Sequence, residues 1–168
     1  VLDGSGSAIN QRQQRRALLP KLLTIRSGGV TVAGLTIRRA NSSALANAAP
    51  VTVTTAPAHG DHLGGAWRDQ SPPRFIRVEL RDLIASTGSV FVDGGHLMLD
   101  RCKLYNNVAV RGEHGGHQLE WSGGGVFVNK GQLTAVGTHF ERQRALVQGG
   151  AIMNNMGPVS YTHLTLPT

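Results

Sequence analysis

Two histidine pairs are the groups in this sequence best suited to chemistry by type and spacing: His59-Gly60-Asp61-His62 and Glu113-His114-Gly115-Gly116-His117. Each is a His-x-x-His beside a carboxylate, and neutral imidazoles with carboxylate oxygens make a reasonable donor set for zinc or another transition metal. Pooled, His59, Asp61, His62, His114 and His117 would fill a four-ligand shell. Glycines flank these histidines and no helix fixes them, so the elements on either side decide whether the two loops can meet.

Those elements are short and repeated. Gly-Gly-Val126-Phe127-Val128-Asn129 recurs 25 residues later as Gly-Gly-Ala151-Ile152-Met153-Asn154, with an alternating segment between the copies. Sliding back 36 residues places Val90-Phe91-Val92-Asp93 on Val126-Phe127-Val128-Asn129 and Leu97-Met98-Leu99 on Leu133-Thr134-Ala135. Further back, Val78-Glu79-Leu80 falls on Leu97-Met98-Leu99, Leu23-Thr24-Ile25 on Val90-Phe91-Val92, and Val30 to Ile37 on Leu97 to Leu104. Fixed periods of this kind are the mark of a solenoid.

Within each copy the residues alternate apolar and polar at period two, so one face of each run can be buried. The alignment predicts interior columns: Leu23, Val90, Val126, Ala151; Ile25, Val92, Val128, Met153; Val30, Val78, Leu97, Leu133; Val32, Leu80, Leu99, Ala135; Leu35, Leu83, Cys102, Thr138; and Ile37, Ala85, Leu104, Phe140. Three strands per turn, each pairing with its copy about 4.8 Å away, make an all-β parallel β-helix, here of about five coils and roughly 24 Å. Frequent glycine and the shortness of the runs argue against helices.

The patterns LLTIRSGGVTVAGLTIRRAN, GHLMLDRCKLYNN and GGGVFVNKGQLTAVGTHF with GGAIMNN resemble right-handed parallel β-helix proteins of the polymorphic outer-membrane protein and adhesin type. Repeats of that type carry a GGA(I/L/V) tetrad, matched by Gly149-Gly150-Ala151-Ile152, and an FxxN tetrad, matched only degenerately by Leu104-Tyr105-Asn106-Asn107 and Phe140-Glu141-Arg142-Gln143. The resemblance spans most of Leu22 to Asn155 and implies the right-handed single-stranded coil. It is weak for function, because pectate-lyase-like enzymes share that coil.

The coil occupies residues 1–157, with insertions at 56–74 and 108–122. The amino end, Val1-Leu2-Asp3-Gly4, reads as the tail of an earlier coil. Val159 to Thr168 departs from every predicted column and back-translates to a transposase mosaic-end sequencing adapter, so 158–168 is expected to be a non-native tail. The chain has formal net charge +7 and a pI near 10.8, carried mostly by scattered arginines. No aromatic interleaving accompanies them, so nucleic acid is not the expected partner, and the QRQQRR cluster at residues 11–16 reads as a solvated loop. The single cysteine, Cys102, falls in an interior column and reads as a small buried hydrophobe. No run approaches the roughly 18 apolar residues of a membrane-spanning helix, so membrane association would come only through other parts of a larger protein.

With the two histidine loops assigned to different corners, neither a metal nor any other cofactor is expected. Polysaccharide cleavage would need paired carboxylates about 6.5–9.5 Å apart for inverting hydrolysis, or a cation or basic site for lyase chemistry. Asp82 and Asp100 fall on turns that could stack, Glu79 has no partner carboxylate at its level, and Gly95-His96-Leu97 is not the GHG motif such enzymes carry. No catalytic residue is therefore assigned. The outward column Thr24, Phe91, Phe127, Ile152 supplies the candidate binding face, Phe91, Phe127 and Ile152, for a sugar or a partner protein. A column of aromatics also serves as ladder support or lies under flanking loops. Asp93, Asn129 and Asn154 read as a turn ladder. The expectation is a structural or adhesive segment of an extracellular or cell-surface protein, with a glycan or surface protein as partner. The alternative is a carbohydrate-active enzyme, a polysaccharide lyase or glycoside hydrolase, whose active site lies largely outside this chain.

Overall fold

A computed structural model describes residues 22–26, 29–43, 48–54, 71–111 and 122–162, together with the backbone of 2–3. One rung of it runs Val90–Asp93, His96–Asp100, Lys103–Tyr105 and Val108–Ala109, four strands that turn a corner after each and form four walls. Each strand pairs in parallel with its counterpart in an adjacent rung, and the inner ones with counterparts on both sides, so the walls are parallel sheets. The first wall carries five strands, Leu23–Ile25, Val51–Val53, Val90–Asp93, Val126–Asn129 and Ile152–Asn155. The described residues thus form an all-β parallel β-helix of five rungs, with Leu2–Asp3 pairing Ile37–Arg38 from the rung before them. The fourth wall, Ile84–Ala85, Val108–Ala109 and Arg144–Ala145, is an addition to the three strands per turn predicted from the sequence. Its strands have only two residues, too few for alternation to reveal.

The core is a set of vertical apolar columns, which is what period-two alternation dictates once strands stack in register. Val51, Val90 and Val126 rise one above another, as do Val53, Val92 and Val128, all of them fully buried. On the second wall Leu97 lies under Leu133, and Phe75, Leu99 and Ala135 form the next column. On the third, Ile37, Leu80, Leu104 and Phe140 are stacked and buried.

Two slips are corrected, and together they touch all six predicted columns: in the second rung Val78, Leu80, Leu83 and Ala85 all sit one corner further on, with Leu83 level with Asn107 and Ala85 with Ala109. Leu80 neighbours Leu104 rather than Leu99, and Val78, whose carbonyl accepts from Lys103 N–H, precedes the third wall beside Cys102 rather than under Leu97. The error is a slip of one corner. Interior residues in this rung fall at 73, 75, 78, 80, 83 and 85, a 2-3-2-3-2 spacing that maps onto itself when shifted by five. The second correction is a slip of one residue in the last rung, where Val126 pairs with Ile152, not Ala151, and Asn129 with Asn155. The run Gly123-Gly124-Gly125 offers two alignments to Gly149-Gly150. The chain uses the one that puts two left-handed glycines together, Gly123 at φ 68° over Gly149 at φ 60°.

Left-handed residues mark the corners throughout. Gly34, Arg77, Arg101 and Gly137 stack at the turn from second to third wall, and Arg39, Asp82, Asn106 and Arg142 at the turn from third to fourth, each with positive φ. Val159–Thr162, which the sequence reading set outside the coil, forms a strand parallel to Leu133–Val136, with Val159 partly buried against the core and Tyr161 60% exposed.

Candidate functional site

The first wall turns Thr24, Thr52, Phe91, Phe127 and Met153 outward, because Val90, Val92, Val126 and Val128 on the same strands are committed to the interior. Phe91 and Phe127 stack face to face, ring centroids 5.6 Å apart and 10° from parallel. This is the offset of one β-sheet step, at which aromatic pairs contribute about 0.5–1.5 kcal/mol beyond area burial. Two of the three candidate face residues are therefore brought together, while Ile152 points inward in the column of Val126 and Met153 takes its place. Phe127 is only 4% exposed and Phe91 half-buried, so Phe91 offers the open edge of the pair.

At the end of that wall Asn129 Nδ2 donates to Asp93 Oδ1 at 2.9 Å, and Asn155 Nδ2 to Asn129 Oδ1 at 3.1 Å. The predicted ladder exists, with Asn155 where the sequence reading put Asn154. A second rung-to-rung contact joins Asn106 Nδ2 to Asp82 Oδ1 at 2.8 Å. Asp82 and Asp100 do not stack: Asp100 pairs in register with Ile76 and Val136 on the second wall. There it accepts from Arg101 Nε at 2.9 Å and lies 3.7 Å from Arg74. The hydrogen bond from Arg101 holds the Asp100 carboxyl below its usual 3.8.

The outward side of the third wall carries two rows, Thr36, Glu79, Lys103, His139 and Arg38, Arg81, Tyr105, Glu141. His139 Nε2 is 3.3 Å from Glu141 Oε2. Arg142 donates to the Tyr105 hydroxyl at 2.7 Å and lays its guanidinium over that ring, 5.5 Å from the centroid. His96, on the second wall, shares a 3.0 Å contact with the Thr134 hydroxyl, and burial lowers its pKa. Cys102 is buried, donates its thiol to the Phe75 carbonyl at 3.2 Å, and has its pKa raised by desolvation, the opposite of what a reactive thiolate needs.

His59, Asp61, His62, His114 and His117 lie outside the described residues. Among the described residues, no three His, Cys, Asp or Glu side chains gather as a metal-binding group, and no helix is long and apolar enough to cross a membrane. Sequence reasoning missed the charge rows of the third wall, since their members are scattered along the chain and meet only when the rungs are stacked in the correct register.

The site therefore belongs to a parallel β-helix displaying stacked side chains on flat walls. No protein-family model, no curated protein and no solved structure matches the chain.

Proposed function

We propose that this chain is a structural or adhesive β-helix segment of a larger cell-surface or secreted protein, holding a glycan or a surface protein through its loops or an outward wall. The observation that carries the reading is the stacking of like outward side chains on successive rungs. Phe91 and Phe127 stack, and Asp93, Asn129 and Asn155 form a side-chain ladder, both repeating at the strand spacing of about 4.8 Å. Extended ligands with repeating units fit such a surface, and function in solenoids resides on walls and projecting loops while the coil supplies rigidity. A polymorphic outer-membrane protein or adhesin type of molecule is the finer form of this proposal.

The test is a glycan array probed with the 168-residue chain beside a polygalacturonate cleavage assay. Binding without turnover is the expected result. Sustained release of unsaturated or reducing ends would overturn it in favour of a carbohydrate-active enzyme.

A further inference from the structure

Among the described residues, eight of the twelve lysines and arginines lie on or beside one wall. The third wall, the corners on both sides of it and the neighbouring strand of the second wall bring together Arg38 and Arg39 from the first rung, Arg74, Arg77 and Arg81 from the second, Arg101 and Lys103 from the third, and Arg142 from the fourth. Against these eight cations stand five carboxylates, Asp3, in register with Arg38, and Glu79, Asp82, Asp100 and Glu141, so the face keeps a positive excess of three charges. The strands of the first wall, by contrast, turn out Thr24, Thr52, Phe91, Phe127 and Met153, with no cation among them. Arg101 and Arg142 side chains are 64% and 67% exposed, and the corner residue Arg77 and the strand residue Lys103 also face solvent.

We infer that this wall binds a linear polyanionic polysaccharide, carboxylated or sulfated, laid along the solenoid axis across four rungs. The inference rests on the glycan-binding reading above and names its ligand class and its wall. Three steps of about 4.8 Å set cationic groups along roughly 14 Å, a span suited to a polymer with regularly spaced anionic groups. Guanidinium forks pair carboxylates and sulfates in a bidentate way, and seven of the eight cations are arginine. The left-handed corner at Arg77 and Arg101 projects those two side chains from the edge of the wall, one above the other. Single-stranded nucleic acid also carries repeating anions, but it is gripped by aromatic platforms. Tyr105 on this wall has its ring under Arg142 and its hydroxyl taken by the same side chain.

The experiment is titration of the 168-residue chain with heparin, polygalacturonate, dextran and single-stranded DNA over a range of salt. Heparin or polygalacturonate should bind with affinity falling steeply as salt rises, and dextran should not bind. The double variant Arg77→Asn with Arg101→Asn keeps residues that tolerate the left-handed corner, and should lose on the order of tenfold in affinity with a shallower salt slope. Lys103→Glu, an exposed change at the start of the strand Lys103–Tyr105, should do the same if the corner variant melts early. Lys130→Asn, at an exposed corner of the first wall, should leave binding unchanged. Equal losses from Lys130→Asn would show net charge rather than a site, and equal or tighter DNA binding through the same residues would replace the polysaccharide. Either result overturns the inference. Neutral glycan or protein binding that survives the wall variants would sink this inference and leave the adhesive reading standing. No binding to any of the four probes would sink this inference and leave the adhesive reading to the glycan array.

Discussion

Asn107 shows how one polar residue can be indispensable inside an apolar coil. It occupies the last position of the Leu104-Tyr105-Asn106-Asn107 tetrad, is fully buried, and donates to the Leu80 carbonyl at 3.0 Å while accepting from Leu83 N–H at 3.1 Å. Leu83 N–H sits at the corner between the third and fourth walls, where the Asn107 side chain takes the place of a ladder bond, while the Leu80 carbonyl belongs to the strand Glu79–Arg81 and gains the amide as a further donor. Asn107→Ala should cost about 1–3 kcal/mol, read as a lower urea midpoint, because the buried Leu83 N–H is left without an acceptor. His96 supplies a second test. Burial holds its imidazole below the ordinary 6.5, so the unfolded chain takes up the proton first, and stability is full above 6.5 and lost as pH falls from there toward the lowered folded value. Asp100 acts in the same direction at lower pH, its contribution present above 3.8 and lost below. Thermal melts from about pH 7 down to about pH 5 should show Tm falling, and His96→Gln should flatten that step without removing the loss at stronger acid.

At the scale of the strand and its turns, the four corners differ in kind. Two residues always separate the second wall from the third and the third from the fourth, as in Arg101-Cys102 and Asn106-Asn107. The other two corners absorb all variation in length. A Gly-Gly-Ser-Gly-Gly insertion after Val147, in an open corner, should therefore cost under about 1 kcal/mol, since lengthening a surface loop adds little closure entropy. The same five residues after Arg101 would displace buried Cys102 and break the register of two walls, costing more than about 3 kcal/mol by urea denaturation. This division also explains what could be read from the chain. The alternation of Val90-Phe91-Val92 and Val126-Phe127-Val128 fixes strand type, inward face and parallel stacking, because burial on one side leaves no other arrangement. Rung register was less legible. A five-residue corner repeat makes Val78-Glu79-Leu80 look as good over Leu97 as over Cys102, and only Pro73 and Phe75, flanked by loop residues, break the tie. Asn107 and the third-wall cations were illegible for the same reason, as their meaning lies in vertical neighbours far away in sequence.

At the scale of the whole coil, the last described strand of each wall, His139–Glu141, Arg144–Ala145, Ile152–Asn155 and Val159–Thr162, presents an outer edge with no further strand paired to it among the described residues. Beside it Leu146, Val147, Met156 and Tyr161 are 61%, 41%, 69% and 60% exposed. Open edges with apolar neighbours template further pairing. The chain should self-associate as its concentration rises through the micromolar range, seen by light scattering after size exclusion. Leu146→Lys with Val147→Lys should shift it toward monomer, and a monomer at every concentration would refute the edge argument.

Because each rung touches only the one above and the one below, the coil has no contact that spans its length. Along the chain 28, 39, 36 and 26 residues separate Leu23, Val51, Val90, Val126 and Ile152, the successive starts of the first wall. Pulled by its two ends in an optical trap, such a rod should peel turn by turn, each release lengthening the tether by an amount set by one of those spacings, at about 3.3–3.6 Å per residue. A tethered surface protein built this way would yield by small increments under shear and would keep its remaining turns intact.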